Sequence, residues 1–95
     1  MDLIRIYKVL SNPMRAQIVE WLKNPSAHFQ EVYEEGVCVS DIQKKAQLSQ
    51  STISQYLALL QDTGLIQATR KGQWTFYKRN EANIEKVKQK IMNQL

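Results

Sequence analysis

LSQSTISQYLALLQDTGLI, residues 48–66, decides the fold. Ile53, Leu57 and Leu60 recur at i, i+4 and i+7, so the spacing predicts a helix over residues 49–63 with one apolar face. Ser49 stands where a helix start needs an oxygen for its free N–H groups, and Gly64 stops the run. Gln50, Ser51, Thr52, Ser54 and Gln55 crowd the first turns away from the apolar face. Short polar side chains lower helix propensity, and Ser49 alone would serve as the cap. Hydroxyls and amides on an exposed helical face suit the floor of a DNA major groove. Gln55 is the expected base reader, because an amide can bond adenine through both its groups. Ser51, Thr52 and Ser54 fit phosphate or a thymine methyl. Tyr56 either reaches phosphate or packs on the preceding helices, and the sequence leaves both open.

Upstream, residues 2–10 read as a helix with Leu3, Ile6, Tyr7 and Leu10 on one side. Asn12-Pro13 breaks it, since proline drives its predecessor out of helical geometry and suits a first helical turn. A second helix is expected over 13–23, with Met14, Ile18, Val19 and Leu22 facing a core. Residues 28–37 are compatible with a helical turn or an irregular loop closed by Gly36. Val37-Cys38-Val39 is short, apolar and β-branched, which predicts a strand stub. Ser40 is the expected cap of a short helix over 41–46, with Asp41 near its positive end. Gln47-Leu48 turn into the long helix, and Leu48 plugs the angle between the two.

Downstream of Gly64 the period changes from helix to strand. Residues 65–70 and 74–78 are β-prone runs, with Lys71-Gly72-Gln73 as a three-residue hairpin connection. Asn80 then caps a helix over 81–93, with Ile84, Val87 and Ile91 on one side and Leu95 beyond them. The order predicts one mainly α domain, residues 1–95, with a small β-hairpin. This is a winged helix-turn-helix with an extra helix at each end.

Charge follows the same division. The 95 residues carry a formal net charge of +4. Residues 64–79 hold Arg70, Lys71, Lys78 and Arg79 with no acid, whereas residues 25–49 set four acids against Lys44 and Lys45. Positive charge gathered just after a polar-faced helix is what a polyphosphate partner requires. Arg70, Lys71 and Gln73, at the hairpin tip, are the expected wing contacts to backbone or minor groove. Lys78 and Arg79 are expected at the surface or near a dimer axis, and Arg15 either touches phosphate or is solvated. A chain this short buries a limited core. The stripes Leu3, Ile6, Tyr7, Leu10 and Ile84, Val87, Ile91 are therefore expected to meet a second copy.

Several classes are excluded. No stretch approaches the ~20 apolar residues of a membrane span, and MDLIRIYKVL lacks the pattern of a secretory signal. The single cysteine makes no internal disulfide, which fits a reducing cytoplasm. No paired-carboxylate, Ser/His or Cys/His constellation and no glycine-rich phosphate loop points to catalysis or a cofactor. Trp21, Trp74, Phe76 and Tyr77 are expected to pack core and hairpin rather than stack bases.

The segments VLSNPMRAQIVEWL, VCVSDI, LSQSTISQYLALLQDTGLI and RKGQWTFYKRN together resemble the ArsR-type (arsenic-repressor-like) bacterial regulators over nearly the whole chain. The resemblance implies a homodimeric repressor that pairs through its terminal helices, binds double-stranded DNA and is released by an inducer. Metal-sensing members carry a CVC arrangement where this chain has Cys38-Val39-Ser40, and the segment 80–95 contains no His or Asp. Metal sensing is therefore not expected, and any inducer is an unidentified small molecule. Cys38, in an apolar VCV setting amid acids, reads as a small buried hydrophobe; redox sensing through it is the alternative. A winged helix used as a protein-interaction module is the rival from another class.

Overall fold

Among the described residues, four of the five α-helices begin on a side-chain cap, and these caps set where the chain turns. Asp2 accepts from Arg5 N at the start of α1 (Leu3–Leu10), and Asn12 from Arg15 N at the start of α2 (Pro13–Lys23). Ser49 accepts from Thr52 N to open α4 (Gln50–Asp62), and Asn80 from Asn83 N to open α5 (Glu81–Gln94). A lost cap of this kind costs about 1 kcal/mol. The computed structural model describes residues 2–95; Met1, which the expected domain includes, lies outside the described residues.

The exception is α3 (Val39–Ala46). Its cap position is Cys38, which makes no side-chain capping bond, and Ser40 lies inside the helix rather than before it. The expected cap at Ser40 is thus corrected. Cys38 is held extended by pairing with Phe76, so the chain passes from strand to helix within one residue. At the other end Gln47 takes the left-handed conformation (φ 57°), and its N–H bonds the carbonyls of Gln43 and Lys44. Leu48 packs half-buried against the core at the corner between α3 and α4.

Among the described residues the sheet has three antiparallel strands: the expected stub joins the expected hairpin, except that Val39 opens α3 instead. β1 (Val37–Cys38) adds to β3 (Trp74–Arg79), which pairs on its other side with β2 (Ile66–Lys71). The hairpin loop is also shorter than expected: Lys71 pairs with Trp74, leaving Gly72-Gln73 as a two-residue turn. Gly72 has φ 62° at the first central position, a conformation that two-residue hairpins demand and glycine supplies freely.

The core joins all of these elements. Ile18 of α2, Ile42 of α3, and Ile53, Leu57 and Leu60 of α4 are fully buried, with Val37 and Ile66 from the sheet beside them. Each such side chain contributes about 1.5–3 kcal/mol by leaving water. Leu3, Ile6 and Val9 of α1 and Ile84 and Val87 of α5 close the same cluster. A polar clasp fixes α5 against the end of α4: Asn83 Nδ2 donates to Gly64 O at 2.8 Å, and Asn80 N donates to Leu65 O at 3.0 Å.

The connector between α2 and β1 is more ordered than its sequence implied. A 3₁₀ turn spans Pro25–Ala27. Further on, Tyr33 and Gly36 exchange two backbone hydrogen bonds of 2.9 Å, which puts Glu34 and Glu35 at the tip of a tight turn.

Candidate nucleic-acid interface

The apolar face of α4 is completely buried at Ile53, Leu57 and Leu60, which leaves the opposite face to solvent. Gln50, Ser51, Ser54 and Gln55 are exposed there. The side chains of Gln50, Ser54 and Gln55 make no hydrogen bond among the described residues, so their donors and acceptors are available to a ligand. Ser51 and Thr52 are less free. Ser49 Oγ donates to Thr52 Oγ1 at 2.9 Å and lies 3.3 Å from Ser51 Oγ, so three hydroxyls share one cap cluster. The hydroxyl protons left over from this cluster and the uncapped first N–H groups of α4 still give this end a preference for an anion.

Tyr56 lies half-buried against the first two helices. Its hydroxyl accepts from Asn12 Nδ2 at 3.3 Å, and the Arg15 guanidinium stands 5.0 Å from its ring centroid. Arg15 is itself anchored, with Nε donating to Val9 O at 2.8 Å and Nη2 to Lys8 O at 3.4 Å. The sequence leaves Arg15 between phosphate contact and solvation and does not connect Asn12 with it. The linking signal was Asn12-Pro13, which fixes the start of α2 and therefore aims both side chains at Tyr56.

The wing meets the acidic connector. Lys71 Nζ is 3.4 Å from Glu35 Oε2, and Lys78 Nζ reaches Glu34 O at 3.5 Å. Arg70 Nε donates to Gly72 O at 3.2 Å within the turn, while Gln73 is exposed. Arg79 departs from the expected surface position: its side chain is buried and ion-paired with Glu81 at 2.8 Å. Two tyrosines of this region have raised pKa values. The Glu31 carboxylate, which accepts the Tyr33 hydroxyl, disfavours the Tyr33 phenolate, and burial does the same for Tyr77.

The residues expected at a dimer contact lie mostly inside the chain's own core. Leu3, Ile6, Ile84 and Val87 are already buried within their own chain, and Leu10 and Ile91 pack half-buried on that core. The large apolar side chains that α1 and α5 leave exposed are Ile4 at 62%, Tyr7 at 40% and Met92 at 71%. Cys38 is buried with Sγ 3.4 Å from Ser40 Oγ, and His28 is exposed. Among the described residues no three His, Cys, Asp or Glu side chains converge to hold an ion. No described helix is long and apolar enough to cross a membrane.

Comparison with known proteins gives a consistent picture. Residues 12–68 match the family model described as bacterial regulatory protein, arsR family. The chain is 47% identical over 92 residues to the uncharacterized HTH-type transcriptional regulator YbzH of Bacillus subtilis, covering 92% of each. Among solved structures, HlyU from Vibrio cholerae superposes with a TM-score of 0.64 at 28% identity, covering 90% of this chain and 86% of that one. A homodimeric winged helix-turn-helix DNA-binding domain from Mycobacterium bovis, Mb0332, gives a TM-score of 0.68 at 24% identity, with 97% and 74% coverage. That last likeness speaks to the fold.

Proposed function

Because the chain belongs to the arsR family of bacterial regulatory proteins, we propose that it works as a homodimeric, sequence-specific transcriptional repressor. The observation that carries the reading is the unpaired Gln50, Ser54 and Gln55 face on a helix whose other side is fully buried. Each protomer lays α4 into a major groove, and Gln55 reads a base edge while Ser51, Thr52 and Ser54 meet phosphate or a thymine methyl. Tyr56, braced by Asn12 and Arg15, borders the same face and presents its hydroxyl toward the backbone. Arg70, Lys71 and Gln73 bring the wing to the flanking phosphates. Ile4, Tyr7 and Met92 join the half-buried Leu10 and Ile91 in the contact between copies. The two helices then serve half-sites about one helical turn, roughly 34–36 Å, apart.

This is the work of a regulator in the cytoplasm rather than of a catalyst. It needs no metal: the sequence Cys38-Val39-Ser40 supplies one thiol, and that thiol is buried. A small-molecule inducer remains part of the reading as the signal for release.

Salt dependence tests the wing. Lys71→Ala is expected to weaken binding to every duplex alike and to reduce the slope of log affinity against log salt by about one per protomer. Glu35→Gln is expected to act in the opposite direction. It frees the Lys71 ammonium from its 3.4 Å partner, and exposed pairs of this type are worth about 0–1 kcal/mol, so affinity rises up to about fivefold. Fluorescence anisotropy with an operator duplex and an unrelated duplex checks both. Unchanged salt slopes in Lys71→Ala would remove the wing from the interface.

A further inference from the structure

The outer face of the wing sheet carries more aromatic surface than a solvated hairpin requires. Trp74 and Phe76 are two residues apart on β3 and so share a face, and Cys38 stands opposite Phe76 in the pairing register. The connector folds Tyr33 over this face. Its ring centroid is 5.3 Å from that of Phe76, with the planes at 70°. Trp74 nevertheless stays 50% exposed and Tyr33 45%. These rings, with Glu31 and Asp41 at the border, line an open concavity of about 400 Å³.

A second aromatic pair in the same chain shows what is missing. Trp21 and Phe29 also meet edge to face, with centroids 6.2 Å apart. There Lys45 Nζ lies 5.2 Å from one ring centroid and 5.8 Å from the other, so the chain supplies its own ammonium to the negative ring faces. Tyr33, Trp74 and Phe76 have no lysine or arginine stacked on them among the described residues. Nor is Glu31 or Asp41 ion-paired among the described residues. Lys44 and Lys45 border the same two acids from an adjoining hollow, beside His28 and Phe29. Ring faces and carboxylates select the same charge, and a void of this size accepts a small organic molecule.

We propose that the concavity between connector and wing binds a small organic monocation, an aryl or alkyl ammonium ion, with its charge over Trp74 and Tyr33 and toward Asp41 and Glu31. The assignment is independent of the DNA reading. Trp74 is half exposed and Asp41 only partly buried, so neither side chain belongs to the fully buried core.

The test titrates isotope-labelled full-length protein with benzyltrimethylammonium, phenylmethanesulfonate and benzyl alcohol, following the Trp74 indole N–H and the amides of Ser40 and Phe76 by NMR. The cation is expected to shift these resonances saturably, and the anion and the alcohol are not. Followed through the two amides, Trp74→Leu is expected to weaken the cation about fivefold, the scale of one exposed cation–π contact, and Asp41→Asn up to about fivefold, the scale of one exposed ion pair. An equal response to the anion or alcohol overturns the proposal. So does absence of binding, or a cation affinity that both substitutions leave unchanged; weakening in either variant supports it. Duplex binding measured without the cation keeps the two readings apart, since protein that grips DNA yet ignores the ammonium ion contradicts this site alone.

Discussion

Replacing Gly36 with alanine is expected to lower the melting temperature by about 12–24 °C, on the basis of about 3 kcal/mol lost and 4–8 °C per kcal/mol in a domain of this size. Gly36 is buried with φ +119°, a backbone region that L side chains rarely enter. A Cβ built there stands 2.2 Å from the Tyr77 carbonyl oxygen and 2.6 Å from its carbon. Those are strand atoms in the middle of the sheet, paired on both sides, and they cannot swing away as a side-chain end could. Alanine must therefore lift the connector off β3 and with it the Tyr33–Gly36 bridge and Glu35. Thermal unfolding followed by circular dichroism measures this. A change of only a few degrees would mean that the connector is not clamped to the sheet.

The second large effect concerns recognition. Gln55→Ala is expected to abolish preference at one base pair in each half-site, about 1–3 kcal/mol or roughly 5- to 150-fold of discrimination apiece. Binding to unrelated duplexes should hold, because Gln55 carries no charge and counterion release is untouched. This pattern separates it from Lys71→Ala, which lowers all affinities together. The side chain is exposed and makes no hydrogen bond among the described residues, so its loss leaves α4 and its buried face in place. Competition binding against operator variants altered one base pair at a time reads the result. An unchanged preference at every position assigns base reading elsewhere.

What the sequence disclosed was mostly local. The proline break at Asn12-Pro13 and the capping signals Ser49 and Asn80 are complete within a few residues, and α2, α4 and α5 start where these place them. The Ile53, Leu57, Leu60 stripe is equally self-contained. Ser40 shows where locality fails: its cap chemistry was sound, but pairing of Cys38 with Phe76 carried the strand directly into the helix. FQEVYEEG was opaque for the same reason, since its conformation comes from Gly36 lying against Tyr77 and Glu35 meeting Lys71. The opposed acidic and basic segments were visible in the sequence, whereas their meeting in space was not. An apolar stripe likewise says that a face is covered without saying by what. Leu3, Ile6, Ile84 and Val87 are covered by their own chain, while Ile4, Tyr7 and Met92 stay exposed. At the candidate interface, the free amides of Gln50 and Gln55 were anticipated. The bracing of Tyr56 by Asn12 and Arg15 required the packed structure.

The most direct measurement is selection of bound duplexes from a randomised library, followed by sequencing of the enriched pool. A dimer that reads DNA through paired α4 helices predicts a pseudo-palindrome whose half-sites are centred about 10–10.5 base pairs apart. A pool with no enriched sequence, or with a single unpaired half-site, contradicts it.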